Sequence, residues 1–82
     1  MKIYFLSQED NLGYDTWDSC VVCAETEEEA KLIRPDGSDK PFIKEDLWHM
    51  WADSPESVHC EEIGIANDPK VKGVICASFN AG

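Results

Sequence analysis

The sequence predicts an α+β domain, in which a small antiparallel sheet of about four strands is covered by two short helices in the order ββααββ. Three observations lead to this prediction. Four short runs rich in β-branched and aromatic residues lie towards the two ends of the chain, two segments with helical spacing lie between them, and clusters of Gly, Pro, Asn and Asp separate them. The 82 residues fit one domain that spans residues 1–82.

The strand predictions come from short apolar runs. KIYFLS (2–7) is the first strand, and SCVVCA (19–24) is the second. The last two strands are SVHCEEIGIA (57–66) and VKGVICASF (71–79), which the turn NDPK connects. The segment between the first two strands, QEDNLGYDTWDS, is a long polar loop for so small a domain, and long loops often carry function.

The first helix follows the second strand. Thr26 and Glu29 have the Thr-x-x-Glu spacing of a capping box, and the helix is expected to run through Leu32 and Ile33 until Pro35 ends it.

The second helix is predicted within FIKEDLWHMWADSP (42–55). Its apolar stripe has helical spacing, and Ser54 and Pro55 are expected to end it. The stripe consists of Ile43, Leu47, Met50 and Trp51, with Trp48 on one side.

The charge is strongly negative and unevenly distributed. The chain has 17 acidic and 7 basic residues, a formal charge of −10, and residues 1–30 hold eight acids against Lys2 alone. Such a field repels nucleic-acid backbones and anionic membranes, so we expect no direct binding to either. It favours cationic partners, including proteins that themselves bind nucleic acid. The alternative, that the charge only keeps the protein soluble, stays open.

The sequence also suggests a reducing compartment. No charged segment followed by an apolar stretch opens the chain, and no run approaches the roughly 20 apolar residues of a membrane span, so a cytoplasmic protein is expected. The cysteines are then expected to be reduced thiols rather than disulfides.

Cysteine and histidine residues could supply a metal site or a redox site. Cys20 and Cys23 form a CxxC, but they lie inside a strand pattern, where residues three apart point to opposite faces. A redox motif would instead open a helix. We therefore expect structural cysteines, with no metal and no cofactor. The residues concerned are Cys20, Cys23, Cys60, Cys76, His49 and His59.

No catalytic set is recognised. His59 and Cys60 are strand neighbours that project to opposite faces, so they cannot share a proton directly. The run Glu27, Glu28 and Glu29 fits a helix start, where the helix dipole favours acids. We expect a binding protein rather than an enzyme.

The candidate binding surface is the long loop. Tyr14, Asp15, Trp17 and Asp18 combine aromatic rings with carboxylates, as residues that dominate interfaces often do. The alternative is that Tyr14 and Trp17 fold back to close the small core, and the sequence leaves both interpretations open.

Several of these residues resemble a known family. NLGYD (11–15), the cysteine-bearing strand CVVCA and the acidic run EEEA before a helix resemble the short type II-C anti-CRISPR inhibitor that caps the HNH nuclease domain of the CRISPR effector. The ending GVICASFNAG resembles that of small phage proteins. The matching residues are Asn11, Gly13, Tyr14, Asp15, Cys20, Ala24, Glu29, Ala30, Trp48, Trp51, Asp53, Ser54, Ala77 and Ser78.

The resemblance implies specific contacts with a host nuclease in the host cytoplasm. Asp15 and Ser78 match residues that touch the nuclease site in that family, and Phe79 stands where the family has a cysteine. The implied function is stoichiometric inhibition of DNA cleavage by a monomer or weak homo-oligomer. Two other functions stay open: a module that sequesters a nucleotide immune signal on Trp17, Trp48 or Tyr14, and a phage accessory protein with a different partner.

Overall fold

A four-stranded antiparallel sheet forms most of the molecule. The computed structural model describes residues 1–37, 42, 50–67 and 72–80. The four strands are confirmed, together with their antiparallel arrangement. The described elements are β1 (Lys2–Ser7), β2 (Thr16–Ala24), helix α1 (Glu27–Lys31), a 3₁₀ turn (Pro55–Ser57), β3 (His59–Ile65) and β4 (Gly73–Asn80).

The strand order across the sheet is β3-β1-β2-β4, so the hairpin of β1 and β2 lies in the centre. In its register Lys2 pairs with Ala24 and Ser7 with Ser19. Both outer pairs are irregular: β3 shifts its register on β1 between Ile3 and Tyr4, and β4 shifts twice on β2. The two edges of the sheet are therefore β3 and β4.

The second strand begins earlier than the sequence predicted. It starts at Thr16 rather than Ser19, so Trp17 and Asp18 belong to β2 and not to the loop. The reason is a long-range pairing, in which Trp17 lies opposite Phe79 of β4 and a register shift next to Asp18 accommodates the extra residue.

The first helix begins where the capping pattern placed it. Thr26 is the N-cap, and its side chain accepts a hydrogen bond from the backbone N–H of Glu29 at 3.2 Å. The helix ends at Lys31, earlier than expected, and Leu32 is its C-cap. The Glu29 carboxylate also forms an ion pair with Lys72, just before β4.

The prediction of two helices is wrong, because the described elements follow the order ββαηββ, with one helix and one 3₁₀ turn. Ile43, Leu47 and Trp48 of the predicted apolar stripe lie outside the described residues. Met50 and Trp51, at its end, are not helical. Pro55, expected to end a helix, instead begins the 3₁₀ turn, where its fixed φ suits a first position.

One face of the sheet carries the core. The alternation of β1 and β2 directs the side chains of the core cluster to the same side, where α1 and the segment 50–58 cover them, whereas Cys23 is buried on the other side. Trp51 is the largest fully buried side chain. The buried core consists of Tyr4, Leu6, Cys20, Val22, Ala24, Ala30, Trp51, Ala52 and Val58.

In the part of the chain that the structure describes, no helix has the length and apolar character needed to cross a bilayer.

Candidate functional site

The start of β2 and the end of β4 meet at one corner of the sheet, and this corner holds all six residues that the sequence proposed as contacts. The backbone N–H of Asp15 donates to the carbonyl oxygen of Asn80 at 2.6 Å. Thr16 pairs with Asn80, and Ser19 pairs with Ser78. We call residues 14–18 and 78–80 the β2–β4 corner.

An aromatic pair forms the apolar part of the corner. The ring centroids of Trp17 and Phe79 are 4.7 Å apart in an edge-to-face arrangement with an interplanar angle of 61°. Such pairs contribute about 0.5–1.5 kcal/mol beyond the area they bury. Trp17 is half-buried and also packs against the core, whereas Phe79 remains 43% exposed.

The side chains of the corner do not all share one face. Trp17 packs on the core, so Phe79, directly opposite, lies on the core side as well. Ser78 is the next residue along the strand and therefore points to the opposite side of the sheet. A flat partner surface that lay on either face would reach only one of the two.

The two aromatic residues that the sequence placed in the loop, Tyr14 and Trp17, differ in whether they contact the core. Tyr14 is 78% exposed, so its ring does not close the core, while Trp17 does pack there. Asp15 and Asp18 are exposed. Asp15 has a positive φ of 59°, which non-glycine residues seldom adopt and which Asp and Asn tolerate best. This conformation turns the chain from the loop into β2.

A buried glutamine fixes the loop that leads into the corner. Gln8 is 2% exposed, and its Nε2 donates to the carbonyl oxygens of Asn11, at 2.6 Å, and Trp17, at 2.9 Å. Its Oε1 accepts from the backbone N–H of Asn11 at 2.8 Å. Asn11 in turn donates through Nδ2 to the carbonyl oxygen of Trp51 at 2.6 Å. The loop is thus tied to both β2 and the core.

The carbonyl oxygen of Gly13 accepts two side-chain hydrogen bonds that close the loop. Thr16 Oγ1 donates at 2.7 Å and Asn80 Nδ2 donates at 3.0 Å. Because Asn80 belongs to β4, this contact holds the loop against the end of that strand. The position of Asp15 is therefore fixed from two sides.

The corner is acidic and has no positive charge to offset it within the described residues. The four basic side chains of this part of the chain each form an ion pair elsewhere, with acids other than Asp15 and Asp18. The pairs are Lys2–Glu62, Lys31–Glu27, Arg34–Asp36 and Lys72–Glu29. The negative field at the corner is consequently available to a partner.

Cys20, Cys23 and Cys60 are buried or half-buried, as expected of structural cysteines, whereas Cys76 is exposed. Cys20 faces the core opposite Leu6, and burial raises the pKa of its thiol from 9.0 to about 12, which disfavours the reactive thiolate. Cys23 pairs with Ile3 on the other face, as the strand pattern predicted. Burial, followed by the charge of Glu27, raises the pKa of Cys60.

Among the residues that the structure describes, no group of three or more His, Cys, Asp or Glu side chains could hold a metal ion. His49, which the sequence included in the candidate metal set, lies outside these residues. His59 is exposed on β3, and its neighbour Cys60 faces the core side opposite Leu6.

Three residues that position the corner were not singled out as site residues from the sequence: Gln8, Thr16 and Asn80. Gln8 stands in the polar run QED, which is typical of a solvated loop. Its burial depends on contacts with residues as distant as Trp17, so the local sequence pattern does not predict it.

Comparisons with family models, curated proteins and solved structures find no match to this chain.

Proposed function

We propose that this chain is a non-catalytic inhibitor that binds a cationic, DNA-facing protein surface through the β2–β4 corner, with the HNH domain of a CRISPR effector as its target. The observation that carries the proposal is the corner itself, where exposed Asp15 and Asp18 flank an apolar Trp17–Phe79 pair and no described basic side chain neutralises them. Aromatic side chains often anchor interfaces, and a negatively charged patch is complementary to a basic partner.

The charge supports a blocking mechanism. A nuclease cleft attracts the scissile phosphate through metal ions and basic side chains, and a compact acidic domain is attracted by the same field. Once bound, it excludes the DNA strand without cleaving or modifying anything. One inhibitor then blocks one nuclease, and inhibition is stoichiometric.

Phe79 offers a partner an apolar contact surface at the position where the family that this sequence resembles has a cysteine. Its ring is held against Trp17 and remains 43% exposed, so it can pack against a partner without reorganising. A pre-positioned aromatic ring loses little conformational entropy on binding, which favours affinity. The departure from the family pattern therefore replaces one contact type with another.

The decisive experiment removes one charge at the corner. Asp15→Asn keeps the size of the side chain and suits the positive φ, so the fold should be preserved while the carboxylate is lost. We expect the Kd for an isolated HNH domain to rise roughly tenfold or more in calorimetric titration, with a parallel loss of protection against DNA cleavage.

The matched control is Glu28→Gln, which removes one exposed acid on α1, at the other end of β2. This variant carries the same net charge as Asp15→Asn and should bind nearly as well as the unmodified protein. If unmodified protein in excess leaves DNA cleavage unchanged, or if the two variants lose affinity equally, the corner is not the binding surface.

A further inference from the structure

We infer that the free edge of β4 is the docking edge of this protein, and that it accepts an extended basic segment of the partner as a fifth strand. The inference deepens the proposed function and rests on it for the identity of the partner. It explains how one partner reaches side chains that point to opposite faces of the sheet.

The backbone of β4 presents hydrogen-bonding groups at this edge. Within the described residues β4 borders β2 alone. The Trp17 N–H donates to Met50 and the Trp17 carbonyl accepts from Gln8, so Trp17 and its partner Phe79 form a non-hydrogen-bonded pair. The N–H and C=O of Phe79 therefore point away from β2, and by alternation so do those of Ala77.

The two edges of the sheet differ in how they resist strand addition. Proteins protect exposed edges with charged side chains, prolines and bulges. Both edge strands have register shifts, so charge is the difference between them. The β3 edge carries Glu61 and Glu62, whereas β4 contains no charged residue and no proline between Gly73 and Asn80. Among the described residues, β4 is therefore the edge with the weaker protection against an added strand.

The charge around β4 defines the occupant. Asp15 and Asp18 lie beside the end of β4, on its β2 side, and outside the ion pairs of the described residues. A second copy of this chain would bring a further net charge of −10 to the same place, which disfavours self-pairing. A segment with lysine or arginine at alternate positions gains both backbone hydrogen bonds and ion pairs.

The geometry of an added strand fits the corner. Its side chains would alternate between the two faces of the sheet, some beside Phe79 on the core side and others beside Ser78 on the opposite side. Both residues are then contacted by one segment, which no partner lying flat on a single face achieves. Asp15 and Asp18 lie on the β2 side of β4, so specificity would come from basic side chains long enough to reach across the end of β4 to these carboxylates.

Amide hydrogen exchange at Ala77 and Phe79 tests the inference. Two probes are used with the full chain: an isolated HNH domain, and a synthetic peptide of alternating lysine and threonine, with an alternating glutamate and threonine peptide as the control. We expect exchange at both amides to slow with the HNH domain and with the basic peptide, and to be unchanged with the acidic one.

The outcomes separate the two proposals. If the HNH domain binds and neither amide is protected, the edge inference is overturned and the inhibitor function stands. If the HNH domain does not bind but the basic peptide protects both amides, the edge inference stands and the target is wrong. If neither probe protects the amides and the HNH domain does not bind, both proposals fail. Self-association that protects the same amides would identify a second copy as the occupant and overturn the basic-segment inference.

Two substitutions at Ala77 provide an independent measurement. Ala77→Pro removes the outward N–H without removing a ladder bond to β2, and Ala77→Lys keeps the amide but adds a positive charge. Both should weaken binding of the basic peptide by roughly tenfold. Ile65→Lys places the same charge on the exposed β3 edge and should leave binding unchanged. Equal affinities for the Ala77 and Ile65 lysine variants would contradict the inference.

Discussion

At the scale of single residues, Gln8 contributes most to the order of the corner. One side chain, itself 2% exposed, forms hydrogen bonds with the N–H and carbonyl of Asn11 and with the carbonyl of Trp17. A buried backbone group that loses its partner costs about 1–3 kcal/mol. The loop conformation that presents Asp15 therefore depends on an amide that never meets the proposed partner.

Gln8→Glu should destabilise the fold by about 2–3 kcal/mol, although the two side chains have nearly the same shape. The new carboxylate would replace the Nε2 donor and face two carbonyl oxygens, so two hydrogen bonds become repulsive contacts. Urea unfolding measures the change, and Glu9→Gln, at the exposed neighbouring position, is the control, with a change of no more than about 0.5 kcal/mol. Equal stabilities of the two variants would show that the Gln8 network is not formed.

The Cys20 thiol makes stability depend on pH in the alkaline range. Its pKa is about 12 in the folded chain against 9.0 for an ordinary thiol, because burial disfavours the thiolate. Above pH 9 unfolding releases the thiol proton, so the contribution of Cys20 is complete below pH 9.0 and is lost as the pH rises towards about 12. The free energy of unfolding should fall less steeply between pH 9 and about pH 10 in Cys20→Ala than in the unmodified protein. Parallel profiles in denaturant titrations would contradict this assignment, since the lysine and tyrosine contributions are common to both proteins.

At the scale of elements, local patterns predicted what local interactions determine. The bounds of β1 and the N-cap of α1 follow from a short apolar run and a Thr-x-x-Glu spacing, and the structure confirms both. The start of β2 could not be predicted from the local sequence, because TWDS is polar. It becomes a strand only through pairing with Phe79, more than sixty residues away. The prediction of a second helix was wrong for a related reason: Trp51 is fully buried, as its apolar character suggested, but Met50, Trp51 and Ala52 are not helical.

The same distinction applies to the candidate site. Tyr14, Asp15 and Trp17 could be singled out because their residue types suit an interface. The prediction that they lie near Ser78 and Phe79 was based on the family resemblance and not on any local pattern. The register of β2 and β4 is what brings them together. The opposite orientations of Ser78 and Phe79 follow from the alternation of side chains along β4, and the register places Phe79 on the core side with Trp17.

The short helix α1 should depend strongly on its cap. A helix of five residues has few internal hydrogen bonds, so the bond from Glu29 N–H to the Thr26 side chain is a large share of its stability. Thr26→Ala should cost about 1 kcal/mol in thermal or urea unfolding. Thr26→Ser retains the hydroxyl group and is the matched control, expected within a few tenths of a kcal/mol of the unmodified protein. An equal loss in both variants would show that the hydroxyl does not cap the helix.

At the scale of the whole molecule, charge has opposite consequences for folding and for binding. A net charge of −10 on 82 residues places many acids close together, and the described basic residues are already used in ion pairs. The compact state therefore bears a repulsion that the extended chain relieves. A cationic partner of the kind that we propose would relieve it as well, so the charge that destabilises the isolated fold would favour the complex.

Raising the ionic strength from about 20 mM to about 500 mM should consequently change stability and binding in opposite directions. The isolated chain should melt at a higher temperature in high salt, because screening weakens the repulsion among its carboxylates. Association with a basic HNH domain should slow by roughly tenfold or more over the same range, because the steering field is screened. Differential scanning fluorimetry measures the melting temperature, and stopped-flow mixing measures the association rate. Asp15→Asn should show a smaller salt dependence of the association rate than Glu28→Gln, although both variants have lost one acid, since only Asp15 lies in the corner that we propose as the binding surface. An association rate that is insensitive to salt would contradict electrostatic recognition, whatever the affinity.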